Sequence, residues 1–559
     1  MLLMMVLPIV NFEAYKKSIM NKNIILCIVS TLLLFGGSHS VLAQQQLDTI
    51  WGKHFDNGAR IETGYAIAQD GSNSVVIGTS VEGSPASNSK MYLIKIDSAG
   101  NKLGEVRYAF RPGSTDNPFN EGYAIVVVSD GYIVAGATRT ALNNNWDGLV
   151  VKYNKSLVFQ WAKTVGGTGS DIIYGMCITT GGRVIMSGTS ISITTNTTGN
   201  NRKSRAFTLA FSSNTTSGSS SVDWANKRDH GAISGSTKDA SVLYDIQPTD
   251  DGGAIAAGTI DMGADGQDYY LVKLNSSYSA AWSKNSGGAG DQIGKSAVEV
   301  VDFTSTSTPA RNYIIGGYES VGANKFQPFL LKLRGSDRTQ IFAKKYGVGR
   351  KTIYNIRKTS DNGIIAIGSF GDDKDGGKYH IYLHKFRNVV QPTTAAPINA
   401  RIEWEGKVVG SPNGSGQAVI QASDNINFLV VGRNKAAVDG LQNDDHLYVA
   451  KVPPPCPCIT IKVNWPYEAI GSRTDVQDDR YLFFDVYVTK SNGTGRSIYY
   501  GRTDEKGTKL LSGLAVNDVI EVVGVKYLAD VEGSVTLTNA NINSEELTIS
   551  ISPFTSRGF

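Results

Sequence analysis

His380 and His384 have the four-residue separation at which two imidazoles on one helical turn can share a zinc ion. Their neighbours, Tyr379-His-Ile-Tyr-Leu-His-Lys385, alternate as a strand instead. Four strand residues span about 13 Å, whereas each ligand must sit about 2 Å from the ion. On a strand that spacing excludes joint chelation; His54, His230 and His446 are scattered along the chain, and no metal site is expected at any of them. Three oxygen-rich clusters have the composition calcium accepts: Asp261, Asp265 and Asp268; Asp372, Asp373 and Asp375; and Asp439, Asn443, Asp444 and Asp445. None reproduces the helix-loop-helix calcium pattern, and aspartate is frequent in turns for its own hydrogen bonding. Solvated turns are the expectation, calcium is the alternative, and no other cofactor is implied.

Nucleophilic and acid–base chemistry leaves little trace. There is no Gly-x-Ser-x-Gly elbow and no Ser-x-Asp-x-Gly-x-x-Trp box. Glycoside hydrolysis needs two carboxylates facing across a cleft, and a chain this rich in aspartate does not single out such a pair. Cys456 and Cys458 flank Pro457 and lack the two-residue spacer of metal and redox motifs, which fits a structural or surface-linking thiol pair better. No catalytic residue is assigned, and the expectation leans away from an enzyme.

Aromatic residues are more suggestive. Trp146 follows Asn143, Asn144 and Asn145 in a polar stretch from Arg139 to Asp147. An indole beside amides can stack on a sugar ring while the amides bind its hydroxyls; the alternative is a tryptophan that covers its own loop. Trp146, Asn144 and Asn145, with Asn200 and Asn443 from two other long polar segments, are the candidate ligand-binding residues. Five further tryptophans (Trp51, Trp161, Trp224, Trp282 and Trp404) and the tyrosines Tyr65, Tyr123, Tyr174, Tyr244 and Tyr354 recur at regular positions. Their regularity predicts packing between repeated units, not a ligand cage.

The elements that would position these residues form an internal repeat. Gly122-Tyr-Ala-Ile to Gly136, Leu243-Tyr-Asp-Ile to Gly258 and Ile353-Tyr-Asn-Ile to Gly368 match column by column. The glycine closing the second strand recurs as Gly78, Gly136, Gly188, Gly258, Gly317, Gly368 and Gly432, giving seven units. The third strand ends in Lys95, Lys152, Lys273, Lys332, Lys385 and Lys451, with unit three departing at Ala210-Phe211. The fourth carries Trp161-x-Lys163, Trp224, Trp282-x-Lys284, Phe342-x-Lys344 and Trp404. One fourth strand is missing after Lys451, and a spare copy, Trp51-Gly-Lys53, precedes the first unit. A four-stranded unit cannot bury both faces alone, and radial closure removes exposed ends. Residues 44–452 are therefore expected to form an all-β, seven-bladed β-propeller closed by pairing Asp48 to Phe55 with the last unit. The Asp-Gly and Asn-Gly steps are expected to supply the positive φ of tight hairpins.

These repeats resemble the secreted Gly-rich propeller repeats common in Bacteroidetes-type bacteria, related in design to kelch blades. The resemblance covers residues 48–452 and implies the fold and export, but no particular chemistry.

Val452-Pro-Pro-Pro-Cys-Pro-Cys458 breaks the repeat, and residues 453–458 read as a stiff linker. Beyond it, alternating segments at Ile459, Leu482, Asp518 and Leu547 predict a β-sandwich over 459–559. Gly501-Arg-Thr-Asp-Glu-Lys-Gly507 resembles the turn of carboxypeptidase-regulatory-like and Cna-B-like sandwiches, which implies a stalk or spacer. A type IX sorting domain is the alternative, although the usual Tyr-Pro-Asn-Pro opening and basic tail are absent.

Residues 1–43 read as a signal region with Met20 as the initiator, Lys22 as the positive start, Ile24 to Phe35 as the apolar run and Ala43 as the cleavage site. That run is too short to span a bilayer. Its removal takes away Glu13 and three lysines, lowering a formal charge of +4 by two. So balanced a chain gives no footing for nucleic acid. Together these features predict a secreted, extracellular or cell-surface protein, with the periplasm as an alternative. The expected function is non-enzymatic binding or adhesion to a glycan or surface protein through propeller loops. A propeller polysaccharide hydrolase or lyase and a structural component of a surface assembly are the alternatives.

Overall fold

The computed structural model describes residues 45–55, 61–82, 88–109, 119–139, 145–196, 199–213, 222–223, 226–231, 240–288, 290–302, 310–322, 325–346, 349–360, 362–372, 378–387, 401–411, 413–434, 445–454, 459–464, 485–489, 497–502, 508–511, 519–526, 529–536, 546–550 and 552–553. The signal region, Cys456, Cys458, Trp224, Asn144 and Asn443 lie outside them.

The chain is almost entirely strand. In unit one, Ile61–Asp70, Asn73–Glu82, Asn88–Ile96 and Lys102–Tyr108 pair consecutively and antiparallel. Among the described residues the pairings repeat this arrangement as seven groups of four. Their inner strands are Ile61–Asp70, Phe119–Val128, Ser170–Ile178, Ser241–Pro248, Gln292–Asp302, the divided Arg350–Lys351 and Asn355–Lys358, and Ser415–Gln421. Each inner strand touches the next, and Ser415–Gln421 touches Ile61–Asp70, so the groups form a closed ring, a β-propeller.

Closure uses the N-terminal segment. Trp51–Phe55 pairs antiparallel with His446–Val452, from Trp51 opposite Lys451 to Phe55 opposite Leu447, and so becomes the fourth strand of unit seven. A second tie was not evident in the sequence. Leu47 is fully buried, and its carbonyl accepts from the Val409 amide at 2.9 Å beside the last strand of unit six, Arg401–Val408.

The core lies between neighbouring units. Val126, Ile133 and Trp161 of unit two pack on Ile173, Met176 and Phe207 of unit three. Phe55 joins Ile67 and Val76 of unit one to Leu429 and Val431 of unit seven. The described tryptophans of the fourth-strand column serve this packing: Trp161 and Trp404 are buried, and Trp282 meets Tyr313 at 5.4 Å.

The glycine that closes each second strand is needed for a close approach of backbones. A Cβ on Gly258 would lie 1.7 Å from the Val242 carbonyl oxygen, and one on Gly136 1.8 Å from that of Glu121. Not every turn glycine plays the expected part. Gly252 is left-handed at φ 80°, whereas Gly131 is not, and its Cβ would meet the Tyr153 carbonyl oxygen at 1.9 Å.

Ser190 to Arg205 is largely a hairpin extending Arg183–Asn196 and Gly199–Ser212 to the pair Asn196 and Gly199. The β-branched run Ile191-Ser-Ile-Thr-Thr195 favours extension. Beyond the linker lie two sheets. One orders Thr508–Leu511, Ile459–Asn464 and Glu546–Ser550; the other orders Ser497–Arg502, Asp485–Thr489, Val519–Lys526, Ala529–Thr536 and Ser552–Pro553. Among the described residues no helix is long and apolar enough to cross a membrane.

Candidate functional site

Each inner strand carries an irregularity in its first half. The register slips between Gly64 and Ala66, Gly122 and Ala124, Ile173 and Gly175, Leu243 and Asp245, Gly294 and Ser296, and Gly416 and Ala418. In unit six the strand is interrupted between Lys351 and Asn355. A bulge leaves one extra residue unpaired and re-aims it. Those residues are Tyr65, Tyr123, Tyr174, Tyr244, Lys295, Tyr354 and Gln417, one from each unit. All seven line a single central cavity of about 260 Å³. The glycine column and the tyrosine column are thus one device: glycine in the second strand makes room for the displaced carbonyl, and the bulge turns the next side chain to the axis.

This corrects the expectation that the tyrosines serve only packing. They do touch around the ring, with centroids 5.0 Å apart for Tyr65 and Tyr123, 5.3 Å for Tyr123 and Tyr174, and 5.6 Å for Tyr174 and Tyr244. They also line the cavity. Burial pushes the Tyr174 phenol up to about 12, helped by Tyr244. Burial likewise raises Tyr123, reinforced by Glu121, whose carboxylate accepts a hydrogen bond from it. Both are neutral donors at physiological pH. Only their coincidence with the slip beside a glycine could have placed these tyrosines on the axis, and that slip is not visible in a period-two pattern.

The ring is not uniform. Lys295 takes the tyrosine's place in unit five, its Nζ 3.5 Å from the centre of the Tyr244 ring. Burial lowers its pKa to about 8. Past the ring, Arg357 binds Asp245 with two nitrogens, Nη1 to Oδ2 at 2.7 Å and Nη2 to Oδ1 at 3.3 Å. Ser296 and Gln247 also donate to that carboxylate. Asp245 is therefore fully engaged.

The candidates from sequence sit elsewhere. Trp146 is half-buried, with the Arg139 guanidinium 4.9 Å from its ring centre and Phe119 at 6.5 Å. Its carbonyl accepts from the Asp171 amide at 2.6 Å, and Asn145 donates to the Thr168 carbonyl at 2.8 Å. These two residues clasp the junction of units two and three. Asn200 lies in a strand, opposite Thr195. Neither Trp146 nor Asn145 lines the central cavity.

Asp147, Asp268 and Asp445 stand at the start of third strands in three units. A Cβ on Gly166 would lie 2.3 Å from Asp147 Oδ1 and 3.0 Å from Asp171 Oδ2, and one on Gly287 2.0 Å from Asp268 Oδ1. Asp445 pairs with Arg433 at 3.1 Å. The glycine-rich connections between units are held down on carboxylates. Burial raises both Asp147 and Asp171, and Asp171 further raises Asp147. Asp261 accepts from the Gly263 amide at 2.7 Å, an ordinary turn contact. Among the described residues no group of three or more His, Cys, Asp or Glu is placed to hold a metal ion. His380 and His384 share the strand Lys378–Arg387, and His384 pairs with Glu405 at 2.9 Å.

No family model matches the chain, and no curated protein matches it. Among solved structures, the WD40 domain of Neurospora crassa Pan2 is similar at 10% identity and a TM-score of 0.40, covering 73% of this chain and 95% of that one. A Trypanosoma rangeli sialidase in complex with the inhibitor DANA is similar at 9% identity and a TM-score of 0.34, covering 91% of each chain. An apocarotenoid oxygenase from Synechocystis is similar at 10% identity and a TM-score of 0.28, covering 49% of this chain and 58% of that one. These are loose likenesses; the ring rests on the strand pairings themselves.

Proposed function

We propose that this chain is an exported, non-enzymatic binding or adhesion protein whose propeller takes a glycan residue into its central cavity. The observation that carries this reading is the convergence of seven inner-strand residues, five of them tyrosines, on one cavity. Tyrosine rings offer flat apolar faces for the C–H side of a sugar, and neutral phenols offer hydroxyl-sized donors and acceptors. A volume of about 260 Å³ lies just under the usual range for drug-sized ligands, about 300 to 1,000 Å³, and fits a single ring. Export is supported by the signal-like residues 20–43, and the segment after the linker would serve as a sandwich-type spacer.

Binding is favoured over hydrolysis because, among the described residues, the carboxylate lining the cavity is Asp245, already committed to Arg357. A two-carboxylate mechanism needs a free acid and a free base or nucleophile. Calorimetric titration with neutral and acidic monosaccharides and their oligomers tests the proposal. Saturable binding that Tyr174→Ala weakens supports it; product release from the same sugars, or no binding to any of them, overturns it.

A further inference from the structure

Lys295 and Gln417 break the aromatic ring at two positions of seven, and the way Lys295 is held differs from that of three lysines of the third strands. At the ends of third strands, Lys152, Lys273 and Lys451 meet Asp130, Asp251 and Asp424 at 2.7, 2.7 and 2.8 Å. Each of those cations has its counter-charge. Lys295 has the face of Tyr244, which attracts a cation but accepts no conventional hydrogen bond. Among the described residues no carboxylate pairs with it.

The other charged groups at the cavity do not supply the missing anion. Asp245 is neutralised by Arg357 and further bound by Ser296 and Gln247. Glu121 stands behind the ring and takes the Tyr123 hydroxyl hydrogen bond. The phenols Tyr65, Tyr123, Tyr174 and Tyr244 are all pushed above their ordinary value, chiefly by burial, and stay uncharged. Among the described residues Lys295 therefore has no ion-pair partner and stands in an aromatic, partly buried setting. An ion pair formed there is screened less than one in water.

Resting on the reading of the cavity as a sugar site, we propose that Lys295 makes it selective for acidic sugars, with the carboxylate of a uronic-acid-type residue bound at Nζ and the pyranose ring held against the tyrosines. The carboxylate would accept charge-assisted hydrogen bonds from the ammonium, stronger than any a neutral hydroxyl makes there. Because burial lowers the free Lys295 to about 8, the ammonium is present below that pH and is lost above it. Preference for the acidic sugar declines as pH rises through and beyond 8, since the bound carboxylate itself holds the proton on.

The test is calorimetric titration of the full chain with glucuronate and galacturonate against glucose and galactose. At pH 7 the acidic sugars bind at least tenfold more tightly, the gap narrows severalfold by pH 9.5, and Lys295→Met abolishes the gap. The pH series on the unaltered protein needs no variant and guards against a misfolded one. Equal affinity for acidic and neutral sugars overturns the selectivity and leaves the sugar site standing, as does a preference that survives Lys295→Met. Binding of none of the four overturns both.

Discussion

The fourth-strand tryptophans and the inner-strand tyrosines recur equally often, yet they end in different places. Trp161 and Trp404 are buried in the cores between neighbouring units. Tyr65, Tyr123 and Tyr174 touch their neighbours too, but around a shared axis that leaves a cavity between them. In a closed ring, a column's radius decides its role. At the periphery, repetition multiplies equivalent contacts; at the axis, it concentrates seven side chains on one point, and a single departure such as Lys295 changes the whole site. Periodicity alone does not distinguish the two.

The largest expected effect concerns closure, on which both columns depend. Deleting residues 44–56 removes the last strand of unit seven, the buried Phe55 and the buried Leu47. Each such side chain is worth about 1.5 to 3 kcal/mol, and two sheet edges are left open. The thermal unfolding midpoint of the ring falls sharply. Deleting 459–559 leaves those pairings intact and shifts the ring's transition little. Equal midpoints for the two truncations would remove the N-terminal strand from its closing role.

Next comes the device that links glycine to tyrosine. Gly258→Val places a branched side chain where even a Cβ would stand 1.7 Å from the Val242 carbonyl oxygen. A cost on the order of 4 kcal/mol follows, the range of severe backbone and packing lesions. Denaturant unfolding measures it, and a loss under 1 kcal/mol would mean that the bulge relaxes freely and does not hold Tyr244 to the axis.

A direct contrast of the columns is milder. Trp161→Ala opens a cavity in the core of units two and three and lowers stability by about 3 to 5 kcal/mol without touching the ligand site. Tyr174→Ala weakens sugar binding by about 1 to 3 kcal/mol, as loss of a central aromatic anchor does, and changes the melting temperature less than Trp161→Ala. The reverse pattern would exchange the two roles.

How much of this was legible follows the same division. The four-strand unit, its seven copies in sequence and the pairing of Trp51–Phe55 with the last unit are written as alternation and a displaced Trp-x-Lys, because strand period and turn chemistry are local. The axial cavity was not legible. It depends on a one-residue slip beside Gly64, Gly122 and their equivalents, which leaves the alternation on either side looking continuous. The stretch from Arg139 to Asp147 shows Trp146 beside amides, but not that Arg139 comes back against the indole, which depends on the antiparallel pairing of Gly131–Arg139 with Asp147–Asn154.

Trp146 gives the smallest and sharpest of these contrasts. Its ring faces the Arg139 guanidinium at 4.9 Å, which in turn lies 4.4 Å from the centre of Phe119. A cation over a partly exposed ring contributes about 0.5 to 1 kcal/mol, and the backbone contacts of Trp146, its amide donating to Ser170 Oγ and its carbonyl accepting from the Asp171 amide, survive truncation of the side chain. Trp146→Ala should therefore cost about 1 kcal/mol of stability, leave monosaccharide affinity at the axis unchanged within error, and free Arg139. If the same substitution instead cut affinity tenfold with the melting temperature held, the binding surface would have to extend from the axis to the junction of units two and three, and Asn145 would become the next residue to replace.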